Sequence, residues 1–220
     1  MPKAITFEKI RDNPEVRAYI EASNKHLSAM GFTEHGLRHA ALVAKNAGAI
    51  LKHLGYEQKD IELARIAGYM HDIGNSVSRE GHGQIGALLS RLILKEMGAD
   101  YEDIATIMAA IGNHDESVGH IVNAPGAALV LADKGDVHYK RVGDKDKATF
   151  DIHDRVNYAV RNSSIELGEN TVTLVLEIDS NISPMMDYFE IFLPRMVLCR
   201  RAANYLGAEF HLMINGAQVL

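Results

Sequence analysis

The stretch GYMHDIGN, residues 68–75, sets His71 and Asp72 side by side where an apolar helical pattern ends and a glycine turn begins. The residues before it, EQKDIELARIAGYMHD, carry Ile61, Ala64, Ile66, Ala67 and Met70 at helical spacing, which predicts a helix with a mostly buried face. An ionisable pair at the end of such a face has two readings: it caps the helix, or it holds a metal. The rest of the chain decides between them.

Composition sets the bounds. A length of 220 residues fits one domain, or one domain with a small appendage. The hydrophobic fraction of 47% and the charged fraction of 24% are ordinary for a globular chain. The formal net charge of -6 provides no basic footprint for nucleic acid, so a phosphate-bearing substrate needs local compensation, for example from bound cations. The single cysteine, Cys199, rules out an internal disulfide and sits in the apolar pattern LPRMVLCRRAANYL. It is expected to be a buried structural thiol in a reducing compartment, with the cytoplasm as the default. The N-terminal MPKAITFEKIRDNPEV has no long apolar core, and no window approaches about 18 apolar residues, so neither a signal peptide nor a membrane span is expected.

The first two-thirds of the chain reads as helices. EVRAYIEASNKHLSAM runs to Gly31; TEHGLRHAALVAKNAGAILKHLG is expected to start at Thr33 as N-cap and stop at Gly55. The helix through Met70 follows, then HGQIGALLSRLILKEMG, YEDIATIMAAIGNHD and APGAALVLADKGDVHYK. After about residue 150 the composition changes. TVTLVLEID (171–179) alternates and is β-branched, so it reads as a strand, with VNYAVRNSSIEL ending in its partner across the turn GEN. MMDYFEIFLPRMVLCRRAANYLG (185–207) reads as a long helix containing Pro194, and AEFHLMING as a last strand. The organisation expected is a helical domain over residues 1–150 and a small α+β subdomain over residues 151–220. The latter shows no chemical constellation and is expected to serve packing or homodimerisation.

The chain has eleven histidines, of which His35, His39, His71, His82 and His114 lie in one stretch, each near a helix end or turn. A divalent cation used in hydrolysis takes neutral imidazoles and carboxylates and keeps a position open for water. A mixed His/Asp set suits iron, manganese, cobalt, nickel or zinc better than calcium. In a bundle such ligands project from different helices, one or two from each. The candidates follow that pattern: His35 or His39 on the second main helix, His71 and Asp72 at the end of the third, His82 at the start of the fourth, His114 at the end of the fifth, and Asp133 on the sixth.

EHGLRHAALVAKNA, with His35 and Arg38 three residues on, MHDIGN, HGQIGALL, AAIGNHDE and VLADKGDVHYKR together resemble, in order, the motifs of the HD-domain superfamily of metal-dependent phosphohydrolases, over about residues 30–142. The resemblance implies a mainly α fold, an HD-domain helical bundle, here with a small α+β C-terminal extension. It implies metal ligation by His35, His71, Asp72 and Asp133. His82 and His114 match the extra histidines of members that bind two metals, with Asp72 bridging the pair and so taking part in catalysis. His35 is preferred to His39 because Arg38 stands at the family's offset from it; His39, at i+4 on the same helix face, is the alternative. Asn75 stands where the cyclic-dinucleotide phosphodiesterase branch has Lys, and that branch's His-His pair and Gly-Tyr-Pro signature are missing.

The activity implied is hydrolysis of a phosphate ester or anhydride, of a nucleotide or another small phosphorylated substrate, by a water activated by divalent metal ions, two by this motif set. Lys134 and Arg38 are the candidates for phosphate contact. No nucleic-acid or membrane partner is expected. The alternative is an HD-fold metal-binding sensor or regulatory module with weak or no catalysis.

Overall fold

Two helices of the chain come unusually close because small residues face each other. A Cβ on Gly68 would lie 3.0 Å from the Cα and 3.1 Å from the backbone nitrogen of Ala44, so only glycine lets these backbones approach so nearly. The helices are α3 (Leu37–His53) and α4 (Gln58–Met70) in a computed structural model that describes residues 5–143, 146 and 149–220. Before them come α1 (Phe7–Arg11) and α2 (Pro14–Ala29). After them come a 3-10 turn at Ile73–Ser76, α5 (His82–Glu96), α6 (Tyr101–Gly112), α7 (Ala124–Lys134), a second 3-10 turn at Tyr139–Arg141, and α8 (Ile152–Ala159).

The helix starts follow local chemistry. Asn13, Asp100, Asn123 and Asp151 accept hydrogen bonds from the first free N–H groups of α2, α6, α7 and α8, with proline inside the first turn of α2 and α7. Gly55 and Gly98 follow α3 and α5 with φ of 78° each, the left-handed conformation that ends a helix.

α3 departs from expectation. It begins at Leu37 with Gly36 as N-cap, not at Thr33. Residues 33–36 are tied elsewhere: Glu34 N donates to Arg141 O at 2.7 Å, Arg141 Nε donates to Glu34 O at 3.0 Å, and Gly36 N donates to Glu34 Oε1 at 2.7 Å. His35 therefore lies in the segment before the helix, and His39 lies on the helix. The helix expected through Lys140 likewise stops at Lys134.

The C-terminal segment matches the strand and helix readings. β1 (Val160–Leu167) pairs antiparallel with β2 (Thr171–Ile178); α9 (Met185–Tyr205) returns the chain so that β3 (Glu209–Ile214) lies parallel to β2; β4 (Ala217–Gln218) closes the order β1-β2-β3-β4. In the β2–β3 register Val172, Leu174 and Leu176 face Phe210, Leu212 and Ile214, all six buried. α9 contains Pro194 and buries Tyr188, Phe192, Met196 and Cys199 along one stripe. Burial pushes the Cys199 thiol up to about 12, as befits a structural position. The boundary expected near residue 150 falls in the connection leading to α8, and one connected apolar cluster runs from Ile5 through α7 to Ile214. Among the described residues no helix is long and apolar enough to cross a membrane.

The tightest approach is at Gly74, in the turn that follows the His-Asp pair. A Cβ there would collide with the carbonyl oxygen of His82 and stand 2.6 Å from Gly86 N, both backbone atoms of α5 that cannot swing away. Gly74→Ala is expected to destabilise the fold by about 3 kcal/mol, an overpacking cost. Urea unfolding measures it, and wild-type stability in the variant would refute the tight seam.

Candidate metal centre

Four imidazoles are held by the same device at different helix ends. His71, just past α4, uses Nδ1 on Gly68 O at 2.8 Å; His114, two residues past α6, uses Nδ1 on Ile111 O at 2.6 Å; His82, the first residue of α5, uses Nδ1 on Arg79 O at 3.1 Å. His39, in the first turn of α3, uses Nδ1 on Asp136 Oδ2 at 2.7 Å. Carbonyl and carboxylate oxygens only accept, so each Nδ1 is the donor and, in the neutral ring, each Nε2 presents its lone pair.

The four Nε2 atoms converge on Asp72 and Asp133. His71 Nε2 is 3.2 Å and His39 Nε2 3.8 Å from Asp72 Oδ2. His82 Nε2 is 3.6 Å and His114 Nε2 3.9 Å from the other oxygen, Oδ1. Asp133 Oδ1 closes the first group at 3.2 Å from His39 Nε2 and 3.6 Å from His71 Nε2. Three overlapping triads lie within ligand reach of one ion: His39–His71–Asp72, His71–His114–Asp133 and Asp72–His82–His114. Asn75 Nδ2 donates to Asp72 Oδ1 at 2.9 Å and fixes the carboxylate's rotation.

A cation fits this donor set. Nε2 of His39 and Nε2 of His71 are buried without a hydrogen-bond partner, a costly state for a lone pair unless something electropositive faces it. Nε2 of His82 and Nε2 of His114 stand 3.2 Å apart, lone pair toward lone pair. The carboxyls are ionised. Burial raises Asp72 and Asp133, but neighbouring His71 and Lys134 respectively hold them well below the usual carboxylate range. Burial pushes His114 down to about 3, helped by His71 and Lys134, so it is a neutral donor. Burial also lowers His71, yet Asp72 and Asp133 outweigh it and raise that ring to about 10, so without another cation a proton holds the centre. Thus the His/Asp cluster could hold divalent metal.

Five of the six expected ligands, His71, Asp72, His82, His114 and Asp133, are brought together. His35 belongs to none of the triads. Its Nδ1 donates to Thr33 O at 2.6 Å, and its ring stands edge-on to His39 with centroids 5.5 Å apart, at the cleft wall. His39, on α3, joins His71 and Asp72 within ligand reach, whereas His35 precedes the helix because α3 begins too late to carry both. Arg38 does not line the cleft. It binds Glu34 at 2.7 Å and Asp136 at 2.9 Å, and so braces the carboxylate that holds His39. Lys134 is at the cleft, buried, 2.8 Å from Asp133 Oδ2 and 2.6 Å from Glu116 Oε2.

Sequence reasoning missed Asp136, although it lies three residues after Asp133, and also Arg79, Glu116, Arg141 and Arg195. The cleft's cations, Arg79, Lys134, Arg141 and Arg195, face as many carboxylates, Asp115 and Glu116 joining Asp72 and Asp133. The cleft opens into a cavity of about 230 Å³, and His35, Arg79, Glu116, Arg141 and Arg195 line both spaces.

A sequence model of the family described as HD domain matches residues 36–154, more than half the chain. The chain belongs to the HD domain family. Uncharacterized protein MJ1020 of Methanocaldococcus jannaschii is 27% identical over 214 residues, 87% of this chain and 82% of that protein. Ribonuclease Y of Streptococcus sanguinis is 34% identical over 146 residues, 58% of this HD-domain chain but 25% of that protein. This chain therefore spans about a quarter of the length of that ribonuclease. A crystal structure of a predicted HD superfamily hydrolase from an uncultured Thermotogales bacterium has a TM-score of 0.45 and 24% identity, covering 56% of this chain and 67% of that one.

The geometry separates the two histidines of the first motif. His39→Ala is expected to lose bound transition metal, and His35→Ala to keep it, in elemental analysis of protein purified without added metal or chelator. Asp136→Asn, which weakens the hold on His39, is expected to lower metal affinity about tenfold to a hundredfold. Metal loss in His35→Ala with retention in His39→Ala would reverse the assignment.

Proposed function

We propose that this HD domain is a metal-dependent phosphohydrolase acting on a phosphate ester or anhydride of a nucleotide-sized substrate. The observation that carries the reading is the split of Asp72: one oxygen faces His39 and His71, the other His82 and His114. A single carboxylate so placed is suited to bridging two cations. His39, His71, Asp72 and Asp133 would hold one ion and Asp72, His82 and His114 the other, and such a pair supplies an activated water and neutralises phosphoryl charge.

The chain's own residues do the rest. Asn75 keeps Asp72 in the bridging rotation, and Asp136, braced by Arg38, keeps His39 Nε2 aimed at the centre. Lys134 Nζ sits on the far oxygen of Asp133, leaving Oδ1 toward the imidazoles. Arg79, Arg141 and Arg195 place positive charge between the cluster and the cavity, where a phosphoryl group enters. Phe32, His153 and Asn157 line the cavity and offer ring faces and hydrogen-bonding groups to a nucleoside-like leaving group.

The likeness to ribonuclease Y favours a second reading, cleavage of an RNA phosphodiester. A net charge of -6 and a cavity of about 230 Å³ favour the small substrate. A sensor without catalysis is the remaining alternative, and the complete donor set argues against it.

Chelated protein is expected to be inactive on phenyl phosphate and on a nucleotide panel, and to regain turnover with Mn²⁺. Asp72→Asn is expected to cut turnover by about a hundredfold or more. If the metal-loaded wild type turns over neither a monoester nor a diester, the sensor reading replaces this one.

A further inference from the structure

We infer that Arg195, on α9, and Arg79, in the loop before α5, form a two-sided clamp for a terminal phosphate dianion, which makes the substrate a phosphomonoester. The inference deepens the phosphohydrolase reading and rests on it for the reaction, but not for the binding.

The two arginines differ from the other cations of the cleft in what their guanidinium groups have left to offer. Lys134 is committed to Asp133 and Glu116. Arg141 spends Nε and Nη1 on the carbonyl oxygens of Glu34 and Asp136, which locks the 33–36 segment to the second 3-10 turn. Arg195 uses only Nε, on Glu116 Oε1 at 2.8 Å, while its guanidinium carbon lies 4.6 Å over the Phe192 ring. Among the described residues its Nη1 and Nη2 have no acceptor. Arg79 reaches Asn75 Oδ1 at 3.4 Å and His82 Nε2 at 3.5 Å, both with Nη1, and has no carboxylate partner among the described residues. Its guanidinium lies 5.3 Å from the Phe32 ring centroid. Both side chains are half-buried, and both line the metal cleft and the adjoining cavity.

Half-buried guanidinium forks with unused N–H donors, steadied by an aromatic ring each, are suited to bidentate recognition of phosphate oxygens. A monoester phosphate has three non-bridging oxygens and two negative charges near neutral pH; a diester has two such oxygens and one charge. Two cationic forks at the junction with the cluster match the two charges of a monoester and exceed the single charge of a diester. Glu116 is a positioning residue in this scheme. It ties Arg195 to Lys134, so the clamp arm from α9 is registered against the helix that carries Asp133. The segment after residue 154, outside the matched HD region, then supplies a substrate contact and not packing alone.

The test reads binding and selectivity separately. Inorganic phosphate is titrated calorimetrically into Mn²⁺-loaded wild type, Arg195→Met and Arg79→Gln, with thermal melts and metal content as controls. Arg79 has no ion pair to lose, so its variant keeps the test alive if Arg195→Met is unstable. Each variant is expected to bind phosphate about ten- to a hundredfold more weakly at unchanged metal content. The kcat/KM ratio of phenyl phosphate to bis(p-nitrophenyl) phosphate is expected to fall by a similar factor, mainly through KM for the monoester. Absence of phosphate binding to wild type, or equal affinity in folded variants, overturns the clamp. A wild type that prefers the diester overturns the monoester assignment. Phosphate binding that depends on both arginines in a protein without any turnover upholds the clamp and refutes the hydrolase reading.

Discussion

Asp72 is the constraint around which the structure is arranged. A carboxylate nearly removed from water, ionised, and shared between two imidazole pairs is tenable only if every group near it is fixed. Three glycine seams provide that fixity. Gly68 lets α4 meet α3 at Ala44; Gly74 lets the turn after Asp72 meet α5 at His82; Gly83 lets α5 meet the end of α6, where a Cβ would stand 3.2 Å from Ile111 O. These contacts bring the four histidines to one point. A larger residue at a seam would push neighbouring helices apart and pull imidazoles off the carboxylate, so packing and site geometry are here one property.

The imidazoles are not equivalent. Three lean on backbone carbonyls three residues earlier, a restraint that each helix end makes for itself. His39 alone leans on a carboxylate, Asp136, which also takes Arg38. A carboxylate partner makes the ring a stronger donor than a carbonyl does. The group formed by His39, His71 and Asp133 is therefore the more electron-rich half of the cluster, and the half nearer His82 and His114 the poorer one. The same argument gives Arg38 a place: through Asp136 it braces His39 from behind.

What could be read from the sequence was local. Helix periodicity, caps and glycine stops marked seven of the nine α-helices among the described residues, α1 and α8 being unmarked, and alternation in TVTLVLEID marked the strand. His71, Asp72, His82, His114 and Asp133 stood out because each sits where a helix begins or ends. The placement of His35 and His39 turned on a point no local pattern records. Thr33 is a good N-cap, but the 33–36 segment is bound to Arg141, more than a hundred residues away, and the helix starts at Leu37. Arg195 was illegible for the same reason. In FLPRMV nothing marks an arginine whose partner is Glu116. The parallel pairing of β2 with β3 likewise depends on α9 docking, which no alternation pattern encodes.

α7 shows why the C-terminal segment belongs with the site. From Pro125 to Ala132 every residue of this helix is buried, so it has no solvent face and must be covered on all sides. α3 and α4 cover one side, α6 borders it, and α9 covers the other. Its polar residues come only at the C-terminal end, as Asp133 and Lys134, and they project into the cleft. A helix buried on every face cannot rotate without exposing apolar surface or driving Asp133 into the core. Fixing its rotation fixes Asp133 against His39 and His71, and the stripe that docks α9 onto α7 also delivers Arg195 to the cavity. The cover over α7 and the cation at the mouth of the cleft are thus consequences of a single packing solution.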